Sequence, residues 1–390
     1  MSYFHLNLIL KGKLTVCCLL MLPAIPLNAQ REAKQIGDFK ESISLNEHLR
    51  GTKRTLQYRP DGDEFVCVNG KNRYTRALYG SHSPFRVETS DRPVFAFYNN
   101  GRGGNISFKV ILRDGTELAL DCTGHCESRY SAGKRTYYLT DPSWGKGELR
   151  ISVLALADMD GAIWRFSPSN MPKGAILRWQ HGGATGKRLS RNGDMGVDPA
   201  DCFELPAEAT DLVTGELSLQ KEVYLVRGEV PEDYNVRKLY QQAEAASLAL
   251  ASHLKIETPD PYLNTLGGAL VAAADGIWDG QVWLHGAIGW RMPLSGWRAG
   301  YTGDALGWHD RARTHFDAYA ASQVTDVPNT IPHPAQDSTM NLARSEKRWG
   351  TPQYSNGYIC RNPERNNQMH HYDMNLCYMD ELLSLIHISE

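Results

Sequence analysis

The stretch Ile106-Ser-Phe-Lys-Val-Ile-Leu112, followed by Arg-Asp-Gly115, is typical of an antiparallel strand and the turn that ends it. Apolar and polar residues alternate over its first half, as in a strand with one buried face, and Asp-Gly suits a tight turn. Residues 149–156 are similar, and Asn-Gly or Asp-Gly pairs recur at residues 69–70, 100–101 and 160–161. Many short strands without helical patterns between them predict an antiparallel β-sandwich over residues 30–232.

The composition changes after Pro231. Residues 233–254 contain neither Gly nor Pro and are rich in Ala, Leu, Gln and Glu, which predicts a linker helix within residues 233–257. Asp260 suits a helix N-cap and Pro261 a first helical residue, so another helix is expected to start there. Helical spacing also predicts helices over about 303–320 and about 368–382.

Length and charge exclude several functions. A chain of 390 residues, 42% hydrophobic and 22% charged, is long enough for two domains. Its net charge is −2, and loss of the two leader lysines would make it −4, so no basic surface for nucleic acid is expected. Residues 182–187 lack the first Gly and the Ser or Thr of a phosphate-binding loop, which excludes nucleotide binding by that loop.

The first 29 residues have the pattern of a secretory signal peptide. Lys11 and Lys13 precede an apolar run over residues 14–22, and Ala29 is a small residue suited to cleavage. The run is too short to span a bilayer, so no membrane insertion is expected after cleavage. Lipidation at Cys17 or Cys18 is an alternative, although Val16 stands where a small residue is preferred. We therefore expect an exported protein, periplasmic or extracellular.

Six cysteines follow the signal peptide, an even number in an oxidising compartment. Cys122 and Cys126 flank a Thr-Gly-His turn, so they could form a local disulfide, remain free thiols, or bind a metal with His125. No second pair of ligands occurs at metal-site spacing. The sequence therefore predicts no structural metal and no cofactor.

The run from Trp290 to Trp308 reads WRMPLSGWRAGYTGDALGW and is the best candidate for a binding site. It contains four aromatic residues among glycines, and Trp283 lies just upstream. Aromatic faces stack on sugar rings while charged groups bind hydroxyls, which favours a carbohydrate site. Packing between helices is the alternative for these tryptophans. The candidate ligands for an oligosaccharide or polysaccharide are Trp290, Trp297, Arg298, Tyr301, Asp304 and Trp308.

The order of sandwich, linker helix and helical hairpins resembles that of six-hairpin glycosidases, in a branch of secreted gut-bacterial proteins of unassigned function. Residues 298–305, Arg-Ala-Gly-Tyr-Thr-Gly-Asp-Ala, resemble the Arg-x-Gly-Trp-Thr-Gly-Asp-Ala string of α-L-rhamnosidases. The resemblance implies a β-sandwich followed by a linker helix and an (α/α)6 helical barrel over residues 258–382, with glycoside hydrolysis as the activity.

The departure from that string concerns the catalytic acid. The rhamnosidases have an Asp-Glu pair before the arginine, whereas this chain has Gly296 and Trp297. Glycoside hydrolysis needs two carboxyl groups. Asp304 is the first candidate, as a base or substrate ligand, with orientation of the following helix as its alternative role. Asp373 is the second, in a polar cluster in which His371 is a further candidate ligand for the substrate. The alternative for this cluster is an exposed helix end with ordinary polar residues.

The last residues, Leu383-Ser-Leu-Ile-His-Ile-Ser-Glu390, resemble the translated end of a sequencing-library adapter. We interpret residues 383–390 as an artefact joined to a natural frame that continues beyond Leu382. The expected barrel would then be truncated, with uncovered apolar helix faces, and we expect the 390-residue chain to be inactive. A further catalytic carboxylate is expected in the missing part.

Three functions remain open. The leading hypothesis is an exported glycoside hydrolase that removes terminal sugars from a complex polysaccharide. A polysaccharide lyase is the second, with His371, Tyr372 and Arg361 as candidates for proton abstraction. A non-catalytic glycan-binding protein is the third, and the missing Asp-Glu pair favours it.

Overall fold

Two antiparallel β-sheets form most of the structure. The computed structural model describes residues 57–71, 74–99, 102–188, 210–230, 233–286, 293, 299–323, 357, 359, 363 and 372–389. The strands are β1 (Arg59–Asp61), β2 (Glu64–Val68), β3 (Tyr74–Leu78), β4 (Arg86–Ser90), β5 (Phe95–Asn99), β6 (Arg102–Ile111), β7 (Glu117–Ala119), β8 (His125–Ser131), β9 (Lys134–Thr140), β10 (Glu148–Ala155), β11 (Gly161–Ser169), β12 (Ile176–Arg188), β13 (Thr210–Ser218) and β14 (Val223–Gly228). Short 3-10 turns occupy Leu120–Cys122 and Pro142–Trp144.

The two sheets face each other as a sandwich. One has the strand order β1-β2-β8-β9-β10-β11-β14, and the other has the order β13-β12-β6-β5-β4-β3 with β7 paired to β6. Aromatic side chains from both sheets interlock between them: Phe95 of β5 makes edge contacts with Tyr137 of β9 and Trp164 of β11, at centroid distances of 5.7 and 5.5 Å. The alternation in the sequence therefore forms one large buried core, as predicted for a sandwich.

Five helices occur within the described ranges: α1 (Val236–Ala251), α2 (Pro261–Gly276), α3 (Ala299–Ala305), α4 (His309–Ala321) and α5 (Tyr372–Ser389). The Asn235 side chain caps α1 by accepting from the Lys238 N–H, and Asp260 caps α2 by accepting from the Tyr262 N–H. The starts of both helices follow from this local chemistry. None of these helices combines the length and apolarity needed to span a bilayer.

The expected (α/α)6 barrel is wrong for the part of the chain that the structure describes. The reason lies in what the apolar helix faces cover. Tyr240 and Ala243 of α1 pack on the outer face of one sheet, against Leu154 and Ile163. The apolar side of α2 packs against the sandwich core through Tyr262, Leu266 and Ala269. The periodicity correctly predicted helices, but the apolar faces of α1 and α2 pack on the sandwich. These two helices therefore do not form the wall of a helical ring.

Helix α2 lies across one end of the sandwich. Its Thr265 hydroxyl donates to the Gly62 carbonyl in the β1–β2 turn, at 2.9 Å, and its last residue, Gly276, accepts from the Arg86 guanidinium at the start of β4. Residues Gln57–Glu390 form one compact unit by their contacts. The finer boundaries at residues 232 and 257 stay predictions, and residues 1–56 lie outside the described ranges.

Candidate functional site

A carboxylate stands at the end of α2, where helix and sandwich meet. Asp275 lies in the last turn of α2, and its side chain is 11% exposed. Its Oδ1 atom accepts from Arg311 Nη1 at 2.7 Å and lies 3.2 Å from His82 Nε2. We call Asp275, His82, Arg311, Trp278 and Trp308 the Asp275 cluster.

His82 reaches the cluster from the loop between β3 and β4. The loop is fixed on both sides of the histidine, because the Ser81 and Ser83 hydroxyls both donate to Asp160 Oδ1 in the β10–β11 turn. Arg86 adds a third tie by donating to the Ser83 carbonyl at 2.6 Å. A sandwich loop is thereby held in place to supply one side chain to a site otherwise made by helical segments.

Arg311, in the first turn of α4, joins the carboxylate to two tryptophans. Its guanidinium lies 4.3 Å from the Trp308 ring centroid and 5.8 Å from that of Trp278. Cation–π contacts of this kind hold a guanidinium over an aromatic face while its remaining N–H groups stay available. The side chain is 26% exposed, so the cluster opens to solvent on the side of Arg311 and His82.

The electrostatics keep Asp275 ionised. Burial acts to raise the pKa of this carboxyl, but the hydrogen bonds from His82 and Arg311 outweigh it and hold the pKa below its usual value. Within the described ranges, its Oδ2 atom accepts no hydrogen bond. The site thus presents a fixed carboxylate with one oxygen ready for a donor such as a sugar hydroxyl or a water.

Asp304 lies beside the cluster and ties two helices together. It belongs to the last turn of α3, and its Oδ1 atom is 2.9 Å from Nδ1 of His309 in the first turn of α4. The helix predicted over about 303–320 is interrupted here. Gly307 has a φ of 73°, which ends the helical conformation, and α4 begins at His309. The orienting role considered for Asp304 is therefore supported by geometry, and its catalytic role stays a prediction.

The other predicted site residues are covered in part. Tyr301 lies in α3 and Asp373 in α5, although only their helical backbone is described. Tyr372 begins α5. The remaining predicted ligands and lyase candidates lie outside the described residues: Trp290, Trp297, Arg298, Arg361 and His371.

For Trp283 the packing alternative is confirmed. Its side chain is fully buried, 4.7 Å from the Trp278 ring, and its backbone N–H donates to Nδ1 of the buried His315. A side chain on Gly303 would collide with the Trp283 ring, since an added Cβ would lie 2.1 Å from it. The glycine in the Tyr-Thr-Gly-Asp string is therefore needed for helix packing.

Three residues of the Asp275 cluster were missed by sequence reasoning: His82, Asp275 and Arg311. A signal for Asp275 does exist, because it is the one charged residue between Pro261 and Trp278, in a segment of small and apolar residues. Burying a lone carboxylate on an apolar helix is costly, so such a residue is expected to have a charged partner or a functional role. His82 carries no such signal, since a histidine in a Ser- and Pro-containing loop is ordinarily a surface residue.

Among the residues that the structure describes, the cysteines and possible metal ligands form no further site. Cys67, Cys122, Cys126 and Cys377 are free thiols, and burial raises the pKa of Cys126 to about 12. The described parts of the chain contain no group of three His, Cys, Asp or Glu side chains suited to a metal ion.

The chain is similar to one family model and to a solved structure. A family model described as a domain of unknown function, DUF4450, matches residues 100–234, which is 135 of the 390 residues. No curated protein matches. A bacterial glucoamylase crystallised with acarbose is a structural match with 9% identity and a TM-score of 0.42, covering 68% of this chain and 55% of the glucoamylase. That TM-score carries no argument about function, and the rhamnosidase-like string at residues 298–305 stays a prediction.

Proposed function

We propose that this protein acts on carbohydrate, with a glycoside as the substrate and hydrolysis of its glycosidic bond as the reaction. The observation that supports it is the Asp275 carboxylate, held ionised beside Arg311 and Trp308 with one oxygen unpaired within the described chain. Sugar sites combine few charged groups with aromatic surfaces in this way.

The chemistry of the cluster fits the base of such a reaction. An ionised carboxylate can take a proton from the attacking water. Arg311 and His82 orient Oδ1, which leaves Oδ2 for that water. Arg311 can also donate to ring hydroxyls through N–H groups that Asp275 does not use. Asp304, Asp373, Tyr301 and the tryptophans of residues 290–308 are proposed as further substrate contacts.

The test compares hydrolysis with binding. We would assay the full chain on a panel of aryl glycosides and plant or host oligosaccharides, measure product by chromatography, and measure affinity by calorimetry. Asp275→Asn should lower kcat by about 10²–10⁴-fold, the usual size of a general-base contribution, while affinity changes little. Asp310→Asn is the matched control, because this exposed carboxylate is a neighbour of Arg311 in α4. Equal kcat for Asp275→Asn and wild type would contradict the proposal.

A non-catalytic glycan-binding protein is the second candidate. The observation that favours it is that the only carboxylate in the Asp275 cluster has a lowered pKa, so this cluster contains no protonated carboxyl to act as an acid. Under this alternative, calorimetry would detect an oligosaccharide that is recovered uncut, and Asp275→Asn would weaken its affinity.

Export is proposed on the sequence of the first 29 residues. Expression of the full reading frame in a Gram-negative host should give a periplasmic or secreted protein whose N-terminus, measured by mass spectrometry, begins at Gln30. An uncleaved protein found only in the cytosol would contradict it. Replacing Leu19 and Leu20 with Arg provides the control, since the apolar run is what the export machinery recognises.

A further inference from the structure

Two arginines lie next to each other on the outer face of the sheet that α1 partly covers. Arg150 belongs to β10 and Arg165 to β11. Their strand neighbours Ile151 and Phe166 lie in the core between the sheets, so the alternation of the strands directs both arginines outward. In the register of β10 and β11 they are diagonal neighbours, one strand over and two residues along. Side chains as long as arginine can meet across such a diagonal.

Each of the two guanidinium groups lies over a tyrosine ring. That of Arg150 is 5.3 Å from the ring centroid of Tyr138, its cross-strand partner on β9, and that of Arg165 is 4.5 Å from the centroid of Tyr240 in α1. Cation–π contacts use the face of a guanidinium and leave the N–H groups around its edge for other partners. The tyrosines therefore orient two positive charges without neutralising them.

No carboxylate of the described chain neutralises these charges. Neither Arg150 nor Arg165 makes an ion pair within the described ranges, although Glu148 lies on the same face of β10. Carboxylates on the neighbouring elements have other partners: Glu127 accepts from Arg129, Glu244 pairs with Lys134, and Glu222 accepts from the Tyr224 hydroxyl. Two adjacent positive charges thus remain uncompensated, whereas the Arg135 and Arg311 charges are each balanced by an aspartate.

The buried donors at this place also lack acceptors. Within the described residues, the Nε atoms of Arg150 and Arg165 and the hydroxyl of Tyr240 are buried without a hydrogen-bond partner, and the neighbouring Ser152 hydroxyl bonds to Thr136 instead, at 3.3 Å. Burial raises the pKa of Tyr240, and Arg165 and Arg150 oppose this effect, because both guanidinium groups lie close to its hydroxyl. Buried polar groups are almost always satisfied, so three unsatisfied donors in one place call for an explanation.

We propose that Arg150 and Arg165 bind the anionic group of an acidic sugar, a carboxylate or a sulfate ester. Planar guanidinium groups match the paired oxygens of such anions, and both arginines are partly exposed. Tyr138, which is 38% exposed, adds apolar ring surface beside them for the sugar itself. The choice of a sugar to carry the anion rests on the proposed function.

The test measures the affinity of three oligosaccharides of equal length by calorimetry: an oligogalacturonate, a sulfated oligosaccharide and a neutral one. The full chain carries Asp275→Asn in this experiment, so that cleavage is suppressed. At least one acidic ligand should bind about 10–100-fold more tightly than the neutral one, the usual size of a charge-assisted hydrogen bond, and added salt should reduce the difference. The tighter of the two acidic ligands identifies the anion as carboxylate or sulfate.

Substitution of both arginines should remove this preference. The double variant Arg150→Gln with Arg165→Gln is expected to bind the acidic and neutral oligosaccharides equally, with unchanged affinity for the neutral one. Arg178→Gln is the matched control, because this arginine of β12 is 43% exposed and already pairs with Glu117 and Glu216, and it should keep the preference. Equal binding of acidic and neutral ligands before substitution, or a preference that survives in the double variant, would overturn the inference.

Hydrogen exchange gives a readout that does not depend on the folding of the double variant. Slower exchange in β10, β11 and α1 when the acidic oligosaccharide is added supports the site, and slowing confined to other elements overturns it. The outcomes also separate this inference from the proposed hydrolysis. If the protein binds acidic sugars here but cleaves no glycoside, hydrolysis fails and the binding site stands. If it cleaves glycosides without any preference for acidic sugars, the binding site fails and hydrolysis stands.

Discussion

Two aspartate–arginine pairs in this molecule join the same charged groups but differ in their exposure to solvent. Asp91 and Arg135 lie within the sandwich, with both side chains fully buried, whereas those of Asp275 and Arg311 are 11% and 26% exposed. Asp91 accepts from Gln57 and Tyr58 and lies 3.8 Å from Arg135, so both of its oxygens are used. Asp275 uses one oxygen. We call Asp91–Arg135 the closed pair and Asp275–Arg311 the half-open pair. The comparison teaches that a closed pair stabilises the fold, while a half-open pair still has an oxygen that can bind a ligand.

The largest expected effect comes from breaking the closed pair. Asp91→Ala leaves the Arg135 guanidinium buried without its carboxylate, and removal of one partner of a buried pair costs about 3–5 kcal/mol. The free energy of unfolding from urea titration should fall by that amount. Arg178→Ala is the control, because this arginine of β12 is 43% exposed and pairs with the exposed Glu117 and Glu216, and we expect a loss of about 1 kcal/mol or less. Equal losses for the two variants would contradict the distinction between closed and open pairs.

The next effect concerns Glu88, the middle residue of β4, which is 6% exposed and belongs to neither of these pairs. Burial raises the folded-state pKa of Glu88 to about 7, from the 4.5 of an unburied glutamate. A raised folded-state pKa means that the folded state keeps a proton that the unfolded state has lost. Stability from this group is thus complete below about pH 4.5 and is lost as the pH rises to about 7. At 1.36 kcal/mol per unit, the loss is roughly 3 kcal/mol.

Denaturation of wild type and Glu88→Gln across pH 4–8 measures this loss. The difference in unfolding free energy between the two proteins should change steadily in favour of Glu88→Gln between about pH 4.5 and 7, then stay constant. A difference that does not depend on pH would show that the folded and unfolded pKa values are equal.

A smaller stability effect is expected at the half-open pair. Asp275→Asn keeps the shape of the side chain and removes a charge that water partly screens, so the unfolding free energy should fall by about 1–2 kcal/mol. The same substitution is expected to cost far more in turnover. A loss of stability as large as that of Asp91→Ala would mean that Asp275 is a structural residue like Asp91.

The smallest effect tests the break between α3 and α4. Gly307 has a φ of 73° and open space around its Cα, so Gly307→Ala introduces conformational strain without a collision. We expect a loss of about 1 kcal/mol in thermal or urea unfolding. Asp304→Ala, which removes a contact with the exposed His309, should cost about 0.5 kcal/mol. Stabilisation by Gly307→Ala would indicate one continuous helix, as the sequence pattern alone predicts.

Local patterns predicted the parts of the fold that depend on neighbouring residues. Alternation identified the strands that became β6 and β10, and Asp260 with Pro261 marked the start of α2. The destination of each apolar helix face was beyond such reasoning, because a stripe such as Tyr262, Leu266 and Ala269 has the same spacing whether it meets a sheet or a helix. The barrel prediction failed at this point.

The candidate site was predictable only where its residues are close in sequence. Trp308 and Asp304 stood out in one aromatic run. Asp275 is paired with His82, 193 residues earlier in the chain, and no spacing rule links residues that far apart.

The contact between Arg86 and the last carbonyl of α2 has a consequence for protein engineering. A shortened protein that ends before α2 would leave a guanidinium at the edge of β4 without the acceptor on Gly276, and would uncover the apolar end of the sandwich. Grafting the helices onto another scaffold would separate Asp275 from His82. Neither the sandwich nor the helical part is therefore suited to use by itself. Libraries that recombine this chain with relatives should place crossovers away from residue 86 and residues 261–276, so that both sides of the contact between β4 and α2 come from one parent.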